Sequence, residues 1–142
     1  MSAVPVPLLI QKLELPMAEA SVRAGFPSPA DDFRVKRIDL NDVLITHPQA
    51  TYLLRVAGDS MRDAGIDEGD TLVVNRALKA LHGQIVVAVV DGEFTVKHRY
   101  QQRGEVRLRP ANASYPEICC REGQSVEVWG VVTACIKRYF VP

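Results

Sequence analysis

The hydrophobic and polar positions of this chain follow two regimes that meet near residue 34. Residues 1–33 carry no sustained hydrophobic period, and Pro5, Pro7, Pro16, Pro27 and Pro29 forbid regular helix or a central strand there. Val4, Val6, Leu8, Leu9, Ile10, Leu13 and Leu15 still give the stretch apolar groups, so it reads as an N-terminal arm that docks on a folded body. From Val35 onward short apolar runs alternate with turn chemistry, which predicts a mostly β domain over residues 34–142. Residues 51–56 and 71–75 read as strands, with a helical turn over 60–64 between them. Residues 84–90 form a nearly continuous run of β-branched apolar residues, the pattern of a strand buried on both faces. Asp91-Gly92 follows, and it is the strongest hairpin signal in the chain, because a two-residue type I′ turn needs positive φ at both positions. It leads into a strand over 93–97. Residues 105–109 and 125–137 are further strands, the latter long enough to bend at Gly130, whereas 37–45 is ambiguous because Asn41 and Asp42 interrupt it. No internal repeat or low-complexity segment is present.

Composition narrows the class. At 142 residues the chain has the length of one domain, and 47% hydrophobic content is enough for a core. Seventeen basic and 17 acidic residues cancel, so no long-range field draws the chain to nucleic acid or to an anionic membrane, and any tie to DNA is expected to be indirect. Apolar runs such as 85–90 fall far short of the roughly 20 residues that span a bilayer. The N-terminus lacks the basic start and continuous apolar core of a secretion signal, so a soluble, cytoplasmic chain is expected. Cys119, Cys120 and Cys135 make an odd count without CxxC spacing, which suggests reduced thiols rather than a disulfide framework or a zinc site. His47, His82 and His98 are scattered, with no carboxylate at ligand spacing, and are expected at the surface or half-buried. Neither a metal nor a cofactor is called for.

The stretch Ala57-Gly58-Asp59-Ser60-Met61-Arg62-Asp63-Ala64-Gly65-Ile66 sets a hydroxyl at a bend between two strands. Taken locally, Ser60 reads as the cap of a helical turn; it becomes a candidate nucleophile only if a base is found. Lys97 lies on the second strand of the Asp91-Gly92 hairpin. Alternation puts Phe94, Val96 and His98 on one face and Glu93, Thr95 and Lys97 on the other, so the ordinary reading of Lys97 is a solvated surface charge. A serine and a lysine can nonetheless form a hydrolytic pair if the amine is neutral and within reach of the hydroxyl. That requires burial, because a free lysine has a pKa of about 10.4 and desolvation lowers it by roughly 3–5 units. Within the arm, Ser21-Val22-Arg23-Ala24-Gly25-Phe26-Pro27 offers a small pair, Ala24-Gly25, flanked by Val22 and Phe26. A cleft that binds an extended strand accepts that shape.

Gly58-Asp59-Ser60-Met61, the following Gly65-Ile66 and Gly69-Asp70, Val90-Asp91-Gly92-Glu93-Phe94-Thr95-Val96-Lys97, and Gly25-Phe26-Pro27-Ser28-Pro29-Ala30 together closely resemble the UmuD-like proteins of bacterial error-prone DNA synthesis. That family includes MucA- and RumA-type relatives and shares its peptidase fold with the LexA repressor. The resemblance runs from about Ala24 to Ala134, with the serine block, the lysine block and the cut site in the family's order. It implies a LexA/UmuD-type fold of short, bent strands, with an arm over 1–33 and a peptidase and dimerisation domain over 34–142. It further implies that Ser60 is the nucleophile, that Lys97 is the general base, and that Ala24-Gly25 is the bond the protein cuts in itself. The partners it implies are a second copy of the chain, a RecA filament on single-stranded DNA that promotes the cut, and a UmuC-like Y-family translesion polymerase joined by the shortened dimer in the SOS response. The best-known UmuD has Cys-Gly at its cut site; Ala24-Gly25 is instead the pair found in LexA-type repressors.

Three other readings compete. A LexA-type repressor needs a helix-turn-helix domain, for which about thirty proline-rich residues are too short. A leader peptidase also uses serine-lysine chemistry but needs a membrane anchor. A non-catalytic polymerase-binding module would leave Ser60 and Lys97 as relics.

Overall fold

In the computed structural model, which describes residues 11–19, 21–22, 35–119 and 125–142, the alternating stretches pair as antiparallel strands. The chain divides into two compact units, Met1–Thr46 and His47–Pro142. In the first, β1 (Glu14–Ala18) pairs with β2 (Val35–Asp39) as a two-stranded ribbon with Pro16 opposite Arg37. A strand thus forms in the proline-rich arm. It can, because among the described residues β1 pairs with β2 alone and is therefore an edge strand, where proline is tolerated. The ambiguous stretch over 37–45 resolves into the end of β2 and a one-turn helix α1 (Leu40–Leu44). Asp39 is its N-cap, its carboxylate accepting from Asn41 N at 2.9 Å and also from Leu13 N at 3.2 Å.

The second unit is a seven-stranded antiparallel sheet in the order β3-β4-β9-β5-β6-β7-β8. The strands are β3 (Thr51–Arg55), β4 (Thr71–Asn75), β5 (Ile85–Val90), β6 (Glu93–Gln102), β7 (Glu105–Arg109), β8 (Ile118–Cys119) and β9 (Val126–Ile136). As the apolar run predicts, β5 is buried on both faces. Val87 joins Met61, Ile66, Leu72 and Val74 in one cluster, while Val86 and Ala88 join Leu108 in another. The β5–β6 turn has φ of 49° at Asp91 and 85° at Gly92, the positive pair that the Asp-Gly signal demands. Arg103 and Gly104 repeat this geometry between β6 and β7, at 53° and 75°. Arginine carries no turn signal, so that second hairpin was not evident beforehand. Cys119 lies on β8; Cys120 falls outside the described residues.

Beyond β9, Lys137 donates to Asp67 at 2.9 Å and closely contacts Asp70, whose buried carboxylate also accepts from Asp67 N at 2.8 Å. These donors hold the Asp70 pKa below its ordinary 3.8, and both carboxylates hold that of Lys137 above its usual value. The stabilisation is present above pH 3.8 and is lost as pH falls through the folded-state pKa of Asp70. Lys137→Met is therefore expected to melt below the wild type at pH 7, with the gap narrowing under acid conditions. Thermal unfolding followed across pH checks this.

Candidate active site

The chain between β3 and β4 makes one loop, pinned at its base and in its middle. Val56 N donates to Asp70 O at 2.8 Å and Gly69 N to Val56 O at 2.9 Å, extending the β3–β4 pairing inward. Met61 and Ile66 then bury their side chains in the core, and Ile66 N donates back to Met61 O at 3.2 Å. Ser60, adjacent to the Met61 anchor, is half-buried. The helical turn expected over 60–64 is shorter, a 3-10 turn over Arg62–Ala64, so Ser60 precedes it rather than lying within it.

Opposite this loop stands the first half of β6. β5 pairs with residues 93–98, whereas β7 begins to pair only at His98, so the segment bearing Thr95 and Lys97 keeps one open edge among the described residues. There Lys97 Nζ lies 3.1 Å from Ser60 Oγ, 2.6 Å from Thr95 Oγ1 and 3.1 Å from Val96 O. The expectation of a solvated Lys97 is therefore overturned: Lys97 is 7% exposed, while Phe94 on the apolar face is 63% exposed. Alternation assigns residues to faces, but what covers each face is decided by a loop from elsewhere in the chain. Among the described residues the partners of the Lys97 amine are all uncharged, and burial pushes the Lys97 pKa below its ordinary 10.5.

A cleft of about 340 Å³ opens beside the pair, lined among others by Leu54, Val56, Ser60, Phe94, Thr95 and Val96. Its walls are mainly apolar, and Ser60 and Thr95 supply hydroxyls on its surface. Such a shape suits an extended peptide with small and apolar side chains. Ala24 and Gly25, the expected cut site, lie outside the described residues.

Three contributors went unread in the sequence. Thr95, two residues before Lys97 on the same strand face, could have been found from alternation, because a hydroxyl there is within reach of the amine. Asn112 and Tyr115 carry no local signal. Asn112 Nδ2 donates to Asp59 O at 3.0 Å and Tyr115 OH to Asp59 Oδ1 at 2.5 Å, contacts that join positions more than fifty residues apart. The Asp59 carboxylate, by accepting that bond and by its charge, raises the Tyr115 pKa. His98, adjacent to the lysine, takes no part in the site: its ring contacts Gly83 O at 3.2 Å and lies against Tyr100. Among the described residues no cluster of His, Cys, Asp and Glu could hold a metal ion, and no helix is long and apolar enough to cross a membrane.

The family model described as Peptidase S24-like matches residues 16–133. Protein MucA of Salmonella typhimurium is 46% identical over 120 residues, covering 84% of this chain and 82% of that protein. Protein ImpA of Shigella flexneri is 46% identical over 123 residues, 87% of this chain and 83% of its own length. The LexA repressor of Paracidovorax citrulli is 38% identical over 129 residues, 91% of this chain but 57% of the repressor.

Proposed function

The chain belongs to the Peptidase S24-like family, and from that premise we propose that it is a serine peptidase acting on its own arm, with Ser60 as nucleophile and Lys97 as general base. The observation that carries this reading is the buried Lys97 amine 3.1 Å from the Ser60 hydroxyl, with only uncharged partners among the described residues. A neutral amine has two N–H groups and one lone pair. Val96 O can only accept and takes one N–H, Thr95 Oγ1 takes the other, and the lone pair is left for the Ser60 proton.

In the reaction, Ser60 Oγ attacks the carbonyl carbon of Ala24 as its proton passes to Lys97 Nζ. Amide N–H groups around the bend, that of Ser60 among them, stabilise the oxyanion. Collapse breaks the Ala24–Gly25 bond, and the lysine proton goes to the departing Gly25 amine. Water then hydrolyses the ester on Ser60, with Lys97 again taking the proton. The arm over residues 1–33 thus serves as substrate and residues 34–142 as the peptidase and dimerisation body.

The resemblance to UmuD-like proteins extends the proposal to the cell. The chain acts as a homodimeric, cytoplasmic accessory subunit of a UmuC-like translesion polymerase in the SOS response, and a RecA filament on single-stranded DNA promotes the cut that activates it. The filament would favour a geometry already able to react.

Intact mass of the purified chain, incubated from neutral to strongly alkaline pH beside Ser60→Ala and Lys97→Ala, tests the reading. The expected result is loss of residues 1–24 by the wild type alone, faster as pH rises. No fragment at any pH, nor with RecA filament added, sinks it and leaves a polymerase-binding module. Retention of full mutagenic activity by Ser60→Ala in cells would likewise favour that module.

A further inference from the structure

The serine loop is gripped by a segment that the serine-lysine reading leaves unused. Asp63 N donates to Ala111 O at 2.7 Å, Asn112 Nδ2 to Asp59 O at 3.0 Å, and Tyr115 OH to Asp59 Oδ1 at 2.5 Å. Asn112 is 5% exposed, and a buried amide is tolerated only when its polar atoms are bonded. Its Oδ1 accepts from Ser114 N at 3.0 Å and its backbone O from Tyr115 N at 3.1 Å, so the segment is itself held in shape.

The atom that Asn112 grips belongs to a particular peptide unit. Asp59 O and Ser60 N share one plane, and in a trans peptide the N–H points opposite to the C=O. Asn112 Nδ2, with Arg62 N at 3.2 Å, supplies two donors to Asp59 O and so fixes the tilt of that plane. Fixing the oxygen fixes the direction of the Ser60 N–H. Among the described residues neither the Ser60 nor the Met61 amide donates a hydrogen bond, which leaves both available beside the Ser60 hydroxyl.

We infer that Asn112, braced by Tyr115 through Asp59, is a positioning residue that aims the Ser60 N–H at the oxyanion formed during self-cleavage. The inference rests on the serine-lysine reading and adds to it. Lys97 supplies the base, while the 111–115 segment sets the donor geometry without touching the lysine. Misaiming a donor differs from deleting one, and displacements of about 1 Å at such sites cost up to about a hundredfold in rate.

The test is the first-order self-cleavage rate of the full chain against pH, with melting temperature measured for every variant and rates taken where each is folded. Asn112→Asp keeps the acceptor for Ser114 N and removes the donor to Asp59 O. Asn112→Ala removes both and puts the fold itself at risk, so Tyr115→Phe, which deletes one hydroxyl from a residue 41% exposed, carries the test independently. Both Asn112→Asp and Tyr115→Phe are expected to lower the alkaline plateau, Asn112→Asp by about tenfold to a hundredfold, with the pH midpoint unchanged. Labelling of Ser60 by an alkyl fluorophosphonate, whose P=O must occupy the oxyanion position as fluoride departs, is expected to slow by the same factors. Wild-type rates in both variants overturn the inference and leave the serine-lysine reading standing. A shifted midpoint at undiminished plateau also overturns it, because the segment would then be acting through Lys97. A wild type that never cleaves overturns both.

Discussion

Lys97→Met is expected to abolish self-cleavage and, at the same time, to raise the melting temperature near neutral pH. The two effects share one cause. Met nearly matches the lysine side chain in volume but offers no lone pair, so the Ser60 proton has no acceptor, and loss of a general base alone costs about 10²–10⁴ in rate. The stability effect follows from linkage. Burial lowers the folded-state pKa of Lys97 below the 10.5 of the unfolded chain, so between those values the unfolded state binds more protons than the folded one. Unfolding free energy therefore rises with pH through that window. Below the folded-state pKa the full cost of burying an ammonium is present, and above 10.5 it is gone. The advantage of Lys97→Met over an uncleavable Ser60→Ala chain should thus be largest at neutral pH and shrink as pH approaches 10.5. Calorimetry of the two variants from pH 6 to 11 measures it, and mass spectrometry measures the cut. A cleavage rate that reaches its plateau only above 10.5 would mean that the lysine is not desolvated in the reacting state, and the proposed base would be lost.

The coupling of activity to an unfavourable burial explains why only part of the site could be read from sequence. Ser60 and Lys97 were legible as candidates because a glycine-flanked bend and an Asp-Gly hairpin are local signals, and the resemblance then paired them. The burial of Lys97 was not legible. It depends on Met61 and Ile66 drawing the loop against the open edge of β6, a contact between distant parts of the chain that no period of two or 3.6 encodes. Asn112 and Tyr115 are a stronger instance, since asparagine and tyrosine near Pro110 and Pro116 look like ordinary loop residues until Asp59 is placed beside them. The strands themselves were far more legible. The all-apolar run of β5 and the turn at Asp91 and Gly92 carried their own explanations, whereas β1 hid behind Pro16 and the turn at Arg103 and Gly104 behind a residue that seldom takes positive φ.

Gly130 joins these levels, and replacing it is expected to destabilise the sheet even though the substitution adds apolar atoms to the core. The sequence marks it only as a bend. In β9 the register slips twice: Val87 pairs with Gly130 but Ala88 with Val128, and Val73 pairs with Ala134 but Val74 with Val132. Each slip leaves an extra residue on β9, Trp129 in one case and Thr133 in the other, and such bulges sharpen the local twist that lets one strand serve β4 and β5 together. Trp129, displaced by its bulge, stacks edge-on with Tyr52 and Phe94, at 5.2 and 5.6 Å between centroids, and carries the Arg76 guanidinium 4.5 Å above its ring. Gly130 lies between these features, where a Cβ would stand 2.6 Å from Val74 Cγ1 and 3.3 Å from the Arg76 stem. Val74 is fully buried and β-branched, so it has little room to turn away. Removing a glycine from the unfolded ensemble returns about 0.4–1 kcal/mol, less than the roughly 1–3 kcal/mol that overpacking a filled core costs, so the clash decides the sign. Gly130→Ala should lose about 1–2 kcal/mol and Gly130→Val about 3 kcal/mol or more, a large share of the 5–15 kcal/mol typical of a domain. Urea unfolding of both variants measures this. Unchanged midpoints would mean that β9 can shift away from β4 at little cost. Because Val74 and Val87 share a cluster with Met61, such freedom would also remove the rigid seat on which Ser60 depends.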